Sequence, residues 1–129
     1  MSVTFKGIPC SQVGLEVMDV ERPLFGPFSD SFIKLPKVSG DIVIGDKTEG
    51  DLEVRIQFLL EPPPGQSHYD ACRALRTYFK SDDKEKLIFA KDSGWAYMAK
   101  FVSSDNIERI VEDGIFWATF RCSPDMVPA

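Results

Sequence analysis

DLEVRIQFLLEPPPGQSHYDACRALRTYFK, residues 51–80, holds the two clearest elements of the chain and the sharpest break between them. In 51–61, Leu52, Val54, Ile56, Phe58 and Leu60 alternate with mostly polar residues, the period of two that marks a half-buried strand. Pro62–Gly65 closes it, because proline has no amide to donate to a ladder, and the turn residues Gly45, Asp46 and Gly50 bound it on the other side. Ser67 then stands where a hydroxyl can cap free amides, and Asp70, three residues on, places a carboxylate at the positive end of a helix. Ala71, Cys72, Leu75, Tyr78 and Phe79 recur three and four apart, with Arg73, Arg76 and Lys80 turned to solvent and SDDK as a stop. The spacing predicts a helix over 67–80, the single helix of the chain.

Downstream, KLIFA (86–90), WAYMAKFVS (95–103), IERIV (107–111) and IFWATFRC (115–122) read as strands separated by KDSG, SDN and EDG, with Asp113-Gly114 the strongest hairpin signal. An antiparallel meander is expected. In EKLIFAKDSGWAYMAKFV (85–102), two antiparallel strands joined at Lys91–Gly94 put Trp95, Tyr97, Ala99 and Phe101 on one face, toward the helix, as core. Upstream, SVTF and LEVMDVE read as strands. RPLFGPFSDSFIKLPKVSGD (22–41) mixes Pro23, Pro27 and Pro36 with Phe25, Phe28, Phe32 and Ile33, which suits neither a helix nor a central strand. It reads as a long excursion with apolar content, a feature often used for contacts between molecules. The expected class is mainly β and antiparallel, a β-sandwich or split-barrel-like fold with one α-helix at 67–80. One domain spans 1–123, and 124–129 is a linker or truncated C-terminal end.

The 129 residues are 43% hydrophobic and 27% charged, ordinary for a globular domain. No apolar run approaches the roughly 20 residues of a membrane span, and the first 20 residues lack the pattern of a secretion signal, which points to cytosolic synthesis. Twenty acidic against 15 basic residues give a formal charge of −5, which opposes binding to a phosphate backbone. Cys10, Cys72 and Cys122 are odd in number and far apart, and His68 is the sole histidine, so free thiols are expected rather than a zinc site or a disulfide framework. His68 falls in the first helical turn with no triad partners; Asp51 and Glu53 share the polar, solvated face of a strand. GDIVIGDKTEG (40–50) lacks phosphate-loop spacing. No nucleophile, base and oxyanion donor can be assembled, so the expectation is no enzyme, no catalytic residue, no metal and no cofactor. Two other readings remain. A small β-barrel binding module would hold an apolar ligand in a cavity ringed by Trp95, Tyr97, Phe101 and Trp117. An enzyme would need Asp51, Glu53 and His68 to converge in one cleft.

The order of elements resembles the N-terminal domain of phage distal tail proteins, the siphovirus tail component family. FKGIPCSQVGLEV is similar to the family's opening strand, turn and Gly-hydrophobic strand. A Gly in KVSGD precedes LEVRIQFLL, followed by YDACRALRTYF, KLIFAKD, WAYMAKFV and an aromatic closing strand with Cys and Pro, GIFWATFRCSPD. The likeness covers roughly residues 3–126. Two departures are a less glycine-rich turn at SGDIVIGD and the stop at Ala129, where family members commonly continue into a second β-domain. The resemblance implies a structural protein of a phage or prophage virion tail, made in the bacterial host cytoplasm. It implies a homo-oligomer, a hexameric ring at the distal end of the tail, that joins the tail tube protein to the tail-tip or baseplate protein, with no nucleic acid and no membrane. Bulky apolar residues in a proline-rich loop are costly to leave wet, so Leu24, Phe25, Phe28, Phe32 and Ile33 are the expected subunit contacts.

Overall fold

The structure, a computed structural model, describes residues 2–25 and 50–129 in full and, between them, the backbone of four short strands. In chain order the strands are β1 (Val3–Phe5), β2 (Ile8–Pro9), β3 (Leu15–Glu21), β4 (Phe28–Ser29), β5 (Phe32–Lys34), β6 (Asp41–Val43), β7 (Thr48–Glu49), β8 (Leu52–Leu60), β9 (Glu85–Phe89), β10 (Trp95–Ser104), β11 (Ile115–Cys122) and β12 (Val127–Pro128). Helix α1 (His68–Phe79) lies between β8 and β9, and α2 (Ile107–Asp113) between β10 and β11.

The main sheet runs β2-β1-β9-β10-β11-β8-β3, every pair antiparallel. Laid flat, its end strands would stand about 29 Å apart, six spacings of ~4.8 Å. Yet β2 and β3 are joined only by the 3-10 turn Cys10–Val13 and Gly14, which bridges about 12 Å at ~2 Å per residue. The sheet must therefore curl toward a barrel. Arg22, just past β3, shows the result: its guanidinium lies 4.8 Å from the ring centre of Phe89 and 3.7 Å from the Asp92 carboxylate, several strands away in the sheet order.

Burial alternates along β8, with Leu52, Val54, Ile56, Phe58 and Leu60 all inside. The core is aromatic. Phe120 meets Phe5 at 5.2 Å and Phe79 at 5.8 Å, both edge-on, and Phe79 of α1 stacks on Phe101 at 4.7 Å and 15°. The helix arrives as its pattern predicts: Ser67 accepts from the Asp70 amide, and Ala71, Cys72, Leu75, Tyr78 and Phe79 are the buried positions. Its far end is held by the β1–β2 hairpin. Lys6 (φ 58) and Gly7 (φ 77) occupy the two left-handed positions of that tight turn. The Lys6 ammonium donates to the carbonyls of Thr77 (3.3 Å) and Lys80 (2.7 Å), where a helix C-terminus favours a cation. The Tyr78 hydroxyl donates to the Ile8 carbonyl at 2.9 Å.

Three expectations are corrected. First, the chain has a second helix: IERIV forms α2 instead of a strand, because Asn106 caps it by accepting from the Arg109 amide at 2.9 Å, and Ile110 turns inward. Asp113-Gly114 is accordingly no hairpin turn. Gly114 (φ 71) is the left-handed C-cap, its amide donating to Ile110 at 2.8 Å. Second, Trp95 is 49% exposed, so it is not core, although Tyr97 and Ala99 are buried. Third, the stretch 22–41, read as an irregular excursion, contains short paired strands: β4 pairs with β7 and β5 with β6, nested in the chain between β3 and β8. This nested hairpin is here called the arm.

Within 124–129, Val127 pairs with Ala96 and Pro128 with Trp95, continuing along the edge of β10 beyond the last β11 pair, Ala99 with Cys122. Among the described residues no helix is long and apolar enough to cross a membrane.

Candidate functional site

The arm leaves the sheet at Glu21 and returns at Leu52. At its root, Leu24 is 83% exposed and Phe25 60%. Pro23 and Phe25 line an open cleft of ≈ 430 Å³ against the outer face of β8, β10 and β11, where Glu53, Val102, Thr119 and Arg121 contribute. Strand alternation explains that set: Leu52, Phe120 and Cys122 point into the core, so their neighbours Glu53, Thr119 and Arg121 point out. Val102 joins them because the β10–β11 register slips between Phe101 and Ser103, an irregularity that leaves Val102 without a cross-strand partner. The outer surface thus carries an apolar strip of Phe25 and Val102, with Leu24 exposed next to Phe25 in the chain.

Of the five residues expected at a subunit contact, the structure exposes Leu24 and Phe25. The side chains of Phe28, Phe32 and Ile33 lie outside the described residues, though their backbones pair with Glu49, Val43 and Ile42 respectively. Beside the strip, Arg55 reaches Glu21 at 2.9 Å and lies 4.6 Å from the centre of the Trp117 ring. Lys84 ties Asp51 (3.0 Å) to Ser123 (2.9 Å). Exposed pairs of this kind contribute little stability individually and chiefly set the local charge.

A second concavity lies on the other side of the sheet. Where α1 and α2 approach over β10, an open groove of ≈ 470 Å³ is walled by Leu75, Phe79, Phe101, Ile110 and Phe116. Sequence reading missed it because it requires α2. The signals were present in Asn106 as an N-cap, Ile107, Ile110 and Val111 at spacings of three and four, and Gly114 as a stop.

The four aromatics of the binding-module reading do not meet. Phe101 lines the α1–α2 groove, while Trp117 sits in a separate cleft with Arg109 and Asp113. Tyr97 is buried edge-on against Phe89 at 6.0 Å, and Trp95 is on the surface. Asp51 and Glu53 share the outer cleft, but His68, exposed at the start of α1, does not line it. Cys10, Cys72 and Cys122 are all buried and free. Loss of solvation pushes the Cys122 thiol up to about 12, and it raises the Cys72 thiol and the Tyr78 and Tyr97 phenols as well, which keeps each neutral. Among the described residues no three His, Cys, Asp or Glu side chains are grouped as metal ligands.

Comparison with known proteins adds to this geometry. Residues 8–122 match the model of the phage tail protein RIFT-related domain. No curated protein matches the sequence. In fold the chain is similar to the crystal structure of the SPP1 Dit (gp 19.1) protein, described as a paradigm of the hub adsorption apparatus in phages infecting Gram-positive bacteria. The TM-score is 0.71 at 11% identity, over 99% of this chain and 52% of that one. The chain therefore spans about half the length of that protein, and at this identity the likeness is one of fold. With the family match covering all of the sheet from β2 to β11 and both helices, the chain belongs to the phage tail proteins with a RIFT-related domain.

Proposed function

We propose that this tail protein is a structural subunit of a phage or prophage virion, assembling as a hexameric ring at the distal end of the tail and joining the tail tube to the tail-tip or baseplate protein. It is made in the host cytoplasm and works without catalysis, metal or cofactor. Family membership supports the tail role, and the fold likeness to a hub adsorption protein supports the distal position. The observation that carries assembly is the root of the arm. Leu24 is 83% exposed, and a large aliphatic side chain held so far into water at the root of the arm is a candidate for cover by another subunit.

Multi-angle scattering and native mass spectrometry of the full chain, alone and co-expressed with its tail tube protein, test the reading. Ring-sized particles that dissociate on Leu24→Asp, with the circular dichroism of the monomer unchanged, are expected. A chain that stays monomeric at every concentration, with and without the tube protein, overturns it.

A further inference from the structure

We propose that Arg22 is a latch that sets the direction of the arm's root and links it to the C-terminal strand β12 through the turn between β9 and β10. The inference concerns a single copy, goes beyond the ring reading and does not depend on it.

The latch is built from consecutive residues, whose side chains point to opposite faces at the end of a strand. Glu21, the last residue of β3, meets Arg55 at 2.9 Å, and Arg55 lies against the Trp117 ring. Arg22 turns the other way. Its guanidinium lies over Phe89 at 4.8 Å and Tyr97 at 5.9 Å, both buried, and 3.7 Å from the Asp92 carboxylate. Held on both sides, the chain resists rotation about the strand axis where it leaves the sheet. The sequence carries that direction outward. A residue before proline is confined to extended backbone and the proline ring fixes its own φ, so Arg22-Pro23 leaves few soft torsions between the latch and Leu24.

Asp92 belongs to the 3-10 turn Ala90–Asp92 after β9, and Tyr97 to β10. The C-terminal strand grips the same place. The Ala129 amide donates to the Gly94 carbonyl at 3.1 Å, while Pro128 pairs with Trp95 and Val127 with Ala96. Gly94, Trp95 and Ala96 lie in the chain between Asp92 and Tyr97, the partners of Arg22, so arm root and β12 share one turn. A displacement of the turn that suits one alters its hold on the other, and the coupling runs equally in both directions. With the Arg22 and Asp92 side chains 36% and 38% exposed, the latch can open without opening the core.

Two readouts on the full chain test this: the mobility of a nitroxide at Leu24→Cys, the three native thiols being buried, and amide exchange by NMR. Arg22→Ala is expected to free the label and to speed exchange at Ala96 and Val127 by about two- to fivefold, the scale of an exposed cation–π contact and ion pair. Exchange at Val54 and Phe120 in the core should not change. Arg22→Lys, which keeps the charge and loses the planar group, and Asp92→Asn, which keeps the stacking, should each give a smaller effect of the same kind. In the reverse direction, removal of Val127–Ala129 should free the label at position 24. A label unmoved by Arg22→Ala overturns the latch. Effects confined to the altered end, in either direction, overturn the link to β12, and a rise in exchange at Val54 and Phe120 as well shows general destabilisation and overturns both.

Discussion

Gly14 ends the 3-10 turn that bridges the two edges of the sheet, with φ at 77° and its carbonyl accepting from the Glu61 amide at 2.7 Å. A Cβ there would run into the Glu61 carbonyl oxygen. Gly14→Ala is therefore expected to cost at least ~2 kcal/mol, from the left-handed backbone and the collision together, read as a fall in the urea midpoint. Cys122 contributes to the alkaline limb of stability. Its folded-state value is raised to about 12 from 9.0 by burial, so between those values the unfolded chain ionises while the folded one stays neutral. The contribution is complete below pH 9 and is lost as pH rises toward 12. Urea midpoints should hold steady through neutrality and decline above that point, with a shallower decline in Cys122→Ala. Phe120 is fully buried and wedged among Phe5, Phe79 and Phe101, so truncating it removes packing from the centre of the core. Phe120→Ala should lose ~3–5 kcal/mol in chemical denaturation.

At the scale of elements, legibility followed the length of the pattern. Five alternating apolar residues in β8 and five helical ones in α1 each had only one reading, and both lie within a residue of where the pattern put them. In α2 the apolar positions are Ile107, Ile110 and Val111, β-branched residues that suit a strand equally well, and Asp113-Gly114 serves a hairpin and a helix end alike. Its caps decide between the two. Asn106→Ala should thus destabilise the domain by ~1 kcal/mol and raise amide exchange in 107–113 specifically. The cleft at the arm's root was half legible: bulky residues among prolines announced Leu24 and Phe25, whereas Val102 joins them only through a slip in register that no local pattern encodes.

For the whole molecule, the class and the long strands β3, β8, β9, β10 and β11 were readable, but the lateral order was not. Nothing local tells β8 to sit between β11 and β3, or β1 to pair with β9; those contacts are set by which faces must be buried together once the sheet curls. Hydrogen exchange should show that arrangement directly. Amides of β8 and β11, each flanked by neighbours on both sides, should exchange only through global unfolding, and those of β2, at the end of the sheet, sooner.

The placement of β8 also has a mechanical meaning. The arm is rooted on β3 and β8, and β8 carries a continuous eight-pair ladder with β11 on one edge and the β3 ladder on the other. Tension drawn through the arm along β8 enters a strand anchored on both sides. Its hydrogen bonds bear that load together, in shear, instead of parting one after another. A pull on the arm would therefore meet the whole of both ladders at once.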